Sequence, residues 1–491
     1  MLVNFMPPAA DYLRLLPEII MTVMGTLYMI IEGVLGEEDG RKGGIFGNLT
    51  LATLTAALIA AVYANGSPGK SFSSMLIVDG YATFFRVLVI GVGILTVLSS
   101  FQYLKREHAE AGEYHALILF SIVGQCLMVT ANDLIMVFIG LEISSIATYV
   151  LAGYLRDDKR NNESALKYFL LGSFATAFLL YGIAWIYGAT RTTRLDEIQA
   201  VLSNRDLAPN AILVGTAAAL IFVGFAFKVS AAPFQVWAPD VYQGAPAPVS
   251  AFMSAGPKAA AFAVFVRVFM TAFYPIVYRW EPFVWSSALL TMIIGNFAAL
   301  MQSNIKRLLA YSSIAHAGYI MVAIAAHNEI GISAVMFYLA AYALMNIGAF
   351  AVVAYFSRQG EKYVNVEDLA GLGWKQPIVA ALFAVFLLSF IGVPLTGGFF
   401  GKFYIFKAAL DANLVWLSVL GLLNSAVAAY YYLRILVVMY MQEPGESMAA
   451  LQPASLGISL TLWASALGTL YLGIFPSALL NFARSSSDLL K

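Results

Sequence analysis

An all-α membrane protein of about fourteen transmembrane helices is the fold class the sequence predicts, and three observations predict it. Of 491 residues, 60% are hydrophobic and 11% charged, where a soluble domain carries about a quarter charged residues. Mean hydropathy is +0.79. The apolar residues fall in long runs with short polar punctuation, and a hydrocarbon core of about 30 Å needs roughly 20 such residues per helix. So much apolar surface cannot be hidden in compact water-soluble domains, so lipid is part of the solvent.

The first run, 10–34, lacks a basic leader, contains Glu18 and Glu32, and reads as a retained span rather than a signal peptide. Spans follow at 44–64 and 76–103, the latter with Asp79 and Arg86 seven residues apart and so on one helix side. Spans 113–130 and 133–154 are separated only by Ala131-Asn132, a tight antiparallel hairpin. After span 163–188, the polar stretch Thr192–Asp206 suits an external loop or a short interfacial helix. Further spans lie at 210–235, 248–275, 283–302, 307–326, 330–356, 377–408, 412–440 and 457–483. Arg41-Lys42, Lys105-Arg106, Arg156/Lys159/Arg160, Lys306-Arg307 and Arg358/Lys362/Lys375 all follow odd-numbered spans. The other side has mainly Lys70, Arg191, Arg194, Arg205 and Arg279. Positive residues stay inside, so both termini are expected on the non-cytoplasmic side.

Several function classes are excluded. Net charge is zero with no long charged run, so nothing points to nucleic acid. The single cysteine, Cys126, rules out a disulfide framework or a thiolate cluster, and His108, His115, His316 and His327 lack metal-ligand spacing. No Gly-rich nucleotide loop follows a strand, so no cofactor is expected in this chain.

An ionisable side chain at the centre of a span costs about 2.5–3.5 kcal/mol, so each one needs a reason. Glu142 lies in GLEISSIATYVLAGY, Lys228 in FAFKVSAAPFQVW, Lys258 after Pro257 in SAGPKAAAF, His316 in YSSIAHAGY, and Lys402 in GVPLTGGFFGKFYIF. Pro233 follows Lys228, and Pro394, Gly397, Gly398 and Gly401 precede Lys402. Proline removes a helical donor and glycine weakens the helix, so spans seven and twelve read as discontinuous, each with a cation near its interruption. Irregular backbone at membrane depth requires a protein or water-filled surround. Interrupted helices in corresponding positions of two halves mark ion sites in transporters built from inverted repeats. Five spans separate the two breaks, which sets out residues 1–112 (spans one to three), 113–275 (first five-helix unit, spans four to eight), 276–440 (second, inverted unit, spans nine to thirteen) and 441–491 (span fourteen).

Each charge also has a plainer reading. A lysine near a helix end can snorkel to the interface, Glu142 can neutralise a lysine in a static pair, and His316 can be a hydrogen-bonded core histidine. Arg267 and Arg434 lie nearer span ends and read as snorkelling or paired, and Lys306 and Arg307 as topogenic loop charges. Against these stands the behaviour of a buried lysine: low dielectric disfavours its charged form and a nearby carboxylate favours it, so such a pair can hold and release a proton.

The stretches ALKYFLLGSFATAFLLYGIAWIYG, FKVSAAPFQVWAPDVYQGAPAPVSAFMSAGPKAAAF and GNFAALMQSNIKRLLAYSSIAHAGY resemble subunit N of bacterial respiratory complex I, the proton-translocating NADH:quinone oxidoreductase. This family has a mitochondrial counterpart, called subunit 2, and a counterpart in the photosynthetic relative of the complex, and it is similar to Mrp-type cation/proton antiporters. The motif GLEISS lacks the Trp-Glu pair of the two sibling subunits, and no long lateral helix follows span fourteen. The resemblance implies a proton relay in which Glu142 is the fifth-helix glutamate pairing with Lys228, Lys258 the central eighth-helix group, His316 a tenth-helix polar group and Lys402 the twelfth-helix lysine. It also implies that NADH, FMN, Fe-S clusters and quinone bind other subunits, that membrane-arm subunits including another antiporter-like one are partners, and that the chain resides in the cell inner membrane. The alternatives are an autonomous sodium/proton antiporter and a purely structural membrane-arm subunit.

Overall fold

Polar residues between the apolar runs start the helices. Asp79, Asp133, Asp158, Asn210, Asn304, Asn328 and Ser455 each accept a backbone N–H in the first turn of the helix they precede, an arrangement contributing about 0.5–2 kcal/mol per helix. The computed structural model describes residues 7–35, 43–204, 209–448 and 451–487; Arg41, Lys42 and Arg205 lie outside them. Among the described residues thirteen helices are long and apolar enough to cross a membrane. A fourteenth crossing is made by two shorter pieces, Pro377–Ile391 and Gly397–Asp411.

Spans one, two, four, five and six are Leu16–Leu35, Gly43–Ala64, Gly112–Thr130, Leu134–Ala152 and Lys159–Thr190. The first span starts later than expected, after a separate short helix, Ala9–Arg14, and the eighth ends earlier, at Met270; three further boundaries differ for identifiable reasons. The third span is Gly80–Arg106, because Leu76–Val78 is a strand, β2, paired antiparallel with β1, Gly69–Ser71, and Asp79 caps the helix after it. The all-α expectation therefore missed one small hairpin: a three-residue aliphatic run is continuous in hydropathy with the helix it adjoins. The ninth span, Val277–Leu300, begins before Pro282, which lies inside the helix rather than at its start. The last span ends at Ile474, and Pro476, which cannot donate to the preceding turn, opens a separate helix, Pro476–Ser486. The polar stretch after span six is a helix, Leu195–Ser203, tied to β1 by Lys70 and Asp196 at 2.5 Å. Burial pushes the Asp196 carboxyl up, but hydrogen bonds and charge from Lys70 and Arg194 outweigh this and hold it below its ordinary value.

The eighth span, Ala247–Met270, is the axis, with every residue buried. It packs on the third and fourth spans and on the eleventh, Glu329–Phe356. Spans four and five close to backbone contact, since a Cβ on Gly124 would sit 2.4 Å from the Ser144 nitrogen. Spans nine and ten (Ile305–Ala325) do the same, with Gly295 against the Ala315 nitrogen at 2.5 Å. Small residues permit such approach where lipid supplies no hydrophobic drive.

The charges flanking the axis are paired. Arg267 makes two 2.9 Å bonds to Asp79, and Arg86 meets Glu18 at 2.6 Å in the N-terminal helices, so Asp79 and Arg86, though on one side of span three, have different partners. Lys306 is fully buried and not a surface topogenic charge: it donates to Glu361 and to the Ala245 carbonyl, both at 2.5 Å. Glu361 also accepts from Tyr103 and the Ala247 amide. Arg307 meets Asp240 at 2.6 Å.

Candidate functional site

The seventh span is broken. Its first half, Ala211–Val229, ends at Ser230 in the left-handed region (φ 62°), and the second half is Trp237–Gly244. The freed backbone groups are taken up by side chains. Trp237 Nε1 donates to the Phe227 carbonyl, the Ala232 amide donates to Thr291 Oγ1, and Ser287 Oγ donates to the Ala232 carbonyl. Lys228 occupies the last turn of the first half. Its ammonium donates to Ser145 Oγ at 2.8 Å and Tyr168 Oη at 3.2 Å, with the Tyr168 ring centroid 5.4 Å away.

The twelfth span breaks alike. Pro377–Ile391 ends at Gly392 (φ 92°), and Gly397–Asp411 resumes after Thr396. A side chain at Gly392 would be strained, and its Cβ would lie 3.2 Å from Lys402 Cδ. Lys402, on the second half, reaches back to the Phe390 and Ile391 carbonyls, each at 2.9 Å, and to Ser425 Oγ at 2.7 Å, over the Tyr319 ring at 4.8 Å. Both cations therefore sit at the carbonyl end of an upstream half-helix, where the helix dipole is negative.

Lys258 lies between them on the buried axis, donating to Ser313 Oγ at 2.5 Å and the Ser313 carbonyl at 3.2 Å. One turn along the tenth span, His316 bonds Tyr338 Oη through Nδ1 (2.5 Å) and Tyr432 Oη through Nε2 (3.2 Å). Tyr432 also bonds Ser312. The imidazole ring lies 5.3 Å from that of Phe390, whose carbonyl receives Lys402. Lys228, Lys258, His316 and Lys402 are 2–6% exposed, which removes the snorkelling reading: none reaches water at the membrane surface.

Glu142 is placed differently. It is half-buried, its Oε1 has no hydrogen-bond partner, and no ion pair to Lys228 joins it among the described residues. Ser145, which accepts from Lys228, stands three residues on along the same helix face. Sequence reasoning missed Ser145, Tyr168, Ser313 and Ser425. For Ser145 the i+3 spacing from Glu142 was a signal, and for Ser313 the i−3 spacing from His316; for Ser425 there was none. Among the described residues no cluster of His, Cys, Asp and Glu is placed to hold a metal ion.

Chemically, four groups able to take up a proton are embedded among hydroxyls that both donate and accept. That is the requirement for handing protons along without a cofactor.

Known proteins resemble this chain along nearly its whole length. Residues 131–428 match the family described as NADH:quinone oxidoreductase/Mrp antiporter, TM. NADH-quinone oxidoreductase subunit N 1 of Solibacter usitatus is 65% identical over 481 residues, 98% of each chain. A chain of respiratory complex I from Thermus thermophilus with bound aureothin superposes with a TM-score of 0.81 at 34% identity, over 95% of this chain and 98% of that one. A chain of the Mrp complex from Dietzia shares the fold, with a TM-score of 0.85 at 19% identity over 98% of each.

Proposed function

The chain belongs to the NADH:quinone oxidoreductase/Mrp antiporter family, on its subunit N branch, and we propose that it carries protons across the membrane as an antiporter-like membrane-arm subunit of an NADH:quinone oxidoreductase. The observation that carries this reading is the series Lys228, Lys258, His316, Lys402, buried inside the helix bundle and hydrogen-bonded to hydroxyls or backbone carbonyls rather than neutralised by carboxylates. A lysine held by a hydroxyl can give up its proton and receive a hydrogen bond in return.

Within this proposal Lys228 exchanges its proton with the Glu142 side through Ser145. Lys258 receives it on the axis, and the Ser312–Tyr432–His316–Tyr338 set leads toward Lys402. The buried hydroxyls of Tyr242 and Tyr342 interact with Ser313, the residue that receives Lys258, and extend the hydroxyl set on the axis. NADH, FMN, Fe-S clusters and quinone act in other subunits, and protonation at one lysine biases the next electrostatically. Glu142, half-buried at membrane depth, is covered by a neighbouring membrane-arm protein, because a carboxylate facing lipid is expensive. Both termini face the non-cytoplasmic side of the cell inner membrane, as the loop cations favour. Spans four to eight and nine to thirteen form two inverted units, supported by the matching glycine-mediated hairpins and by a break in the fourth helix of each.

The test is the ratio of protons moved to NADH oxidised in membranes holding the assembled complex. Lys228→Ala is expected to lower it while the complex still assembles. An unchanged ratio, or sodium/proton exchange by the chain expressed alone, would replace this reading with a structural or an autonomous antiporter role.

A further inference from the structure

On the outer face of the first broken span runs a groove of about 710 Å³ between the seventh and ninth spans. Its wall is mainly apolar, from Ile212 through Ala219 to Phe222 on one side and Phe283 to Leu290 on the other, with only the small hydroxyls of Thr216, Ser286 and Ser287 among them, and its inner end is Pro233 and Phe234 of the break. The cation bordering it is Arg279. The guanidinium sits at the Ala211 end, donating to the Ala211 carbonyl at 2.5 Å and to Tyr278 Oη at 3.1 Å, with Nη1 4.0 Å from where a Cβ on Gly215 would be. No acidic side chain among the described residues forms an ion pair with Arg279, and Glu281, two positions on, does not line the groove.

We infer that this groove seats one anionic phospholipid of the leaflet at the Ala211 end, with its phosphate on Arg279 and an acyl chain against the seventh-span break. Two features choose this occupant. From Ala211 to Val223 the helix rises about 18 Å, close to the roughly 15 Å depth of one leaflet's hydrocarbon, so the groove ends where an acyl chain ends. The cation lies at the headgroup end and not along the tail, which is the charge distribution of a lipid and not of an apolar helix. A tail lying on Pro233 and Phe234 braces the outer wall of the segment that Ser287 and Thr291 hold from the ninth span.

The test uses the whole complex carrying a photoreactive benzophenone side chain at Ala219, which is exposed in the groove. The complex is placed in nanodiscs of equal parts phosphatidylglycerol and phosphatidylcholine, irradiated, and the adducts on this subunit identified by mass. A control probe replaces Leu460, a lipid-facing residue of span fourteen. The expected result is a phosphatidylglycerol preference of about fivefold at Ala219, the equivalent of one interfacial cation, lost in Arg279→Gln and absent at Leu460. Equal adducts at both probes, a preference that survives Arg279→Gln, or an adduct to a neighbouring protein chain would each overturn the proposal. NADH oxidation by the variant complex checks that it has assembled.

Discussion

The two broken helices present a lysine to the membrane interior in opposite ways. Lys228 belongs to the upstream half of its span and bonds outward to hydroxyls of spans five and six. Lys402 belongs to the downstream half and bonds back across its own break to two backbone carbonyls, with a single hydroxyl, Ser425, completing the set. A hydroxyl can reverse its role and donate to a neutral amine; a carbonyl cannot. Losing a proton at Lys228 leaves a set of partners that can be rewired by rotating hydroxyls. Losing one at Lys402 leaves two N–H groups for the two helix-terminal carbonyls but removes the positive charge that this negative end of the helix dipole favours, so proton movement there is tied to the break itself. The first site is built for exchange, and the second couples charge to backbone.

The largest expected effect bears on that coupling. Lys402→Ala should abolish redox-driven proton movement and also destabilise the membrane arm, because leaving buried acceptors unpaired costs about 1–3 kcal/mol each. Lys228→Ala should lose about tenfold or more in pumping, the lower end of what a positioned proton-transfer group supplies, with little change in thermal stability. Equal destabilisation by both, measured as the melting midpoint of the purified complex, would break the contrast. Lys228→Arg should fail to restore pumping, since a guanidinium hardly deprotonates in proteins; recovery to the wild-type rate would show that only charge is needed there. In the double variant Lys228→Ala/Lys402→Ala, a single series pathway makes the loss scarcely worse than the poorer single variant, whereas losses that add in the logarithm of the rate would make the halves independent.

Smaller effects sharpen the comparison. Tyr168→Phe keeps the ring and removes a hydroxyl that receives Lys228, and should slow pumping only a few-fold, about 1 kcal/mol in barrier. The smallest belongs to the surface tie between Lys70 and Asp196. The Asp196 carboxyl titrates below its ordinary value when folded, so its stabilisation is present above the unfolded carboxylate value and fades as pH falls through the lower folded one. As an exposed pair it should amount to less than about 1 kcal/mol, visible as a slight acid-side drop in melting temperature that Asp196→Asn removes.

Much of this was legible in the sequence because the bilayer enforces simple rules. Apolar runs of membrane length gave the spans, and the cost of burying charge singled out Lys228, Lys258, His316 and Lys402. Hydropathy was silent where it is degenerate: Leu76–Val78 is as apolar as the helix it adjoins, yet pairs as a strand. It also misled at span ends, where Lys306 has the position of a loop charge but folds inward onto Glu361. The partners of the lysines were the least legible part. Serines recur throughout the spans, and which one meets an ammonium depends on how helices far apart in sequence cross. The carbonyls of Phe390 and Ile391 have no signature at all, since every residue carries one.

The encased eighth span also bears on how the protein is made. A ribosome delivers spans in order, so Ala247–Met270 enters the bilayer when the third and fourth spans are already present but the tenth and eleventh are not. Arg267 finds Asp79 waiting, 188 residues upstream. Lys258 does not: Ser313 lies 55 residues downstream and has yet to be translated. For that interval an ammonium stands at membrane depth beside unfinished neighbours, a transient burden of about 2.5–3.5 kcal/mol on the insertion scale. Nascent chains halted before Ser313 should hold this helix in contact with the insertion machinery, and those extended past the eleventh span should release it. Site-directed crosslinking from Lys258 to the translocation apparatus would trace that handover, and a helix released before its acceptor is translated would show that lipid alone can shelter the charge.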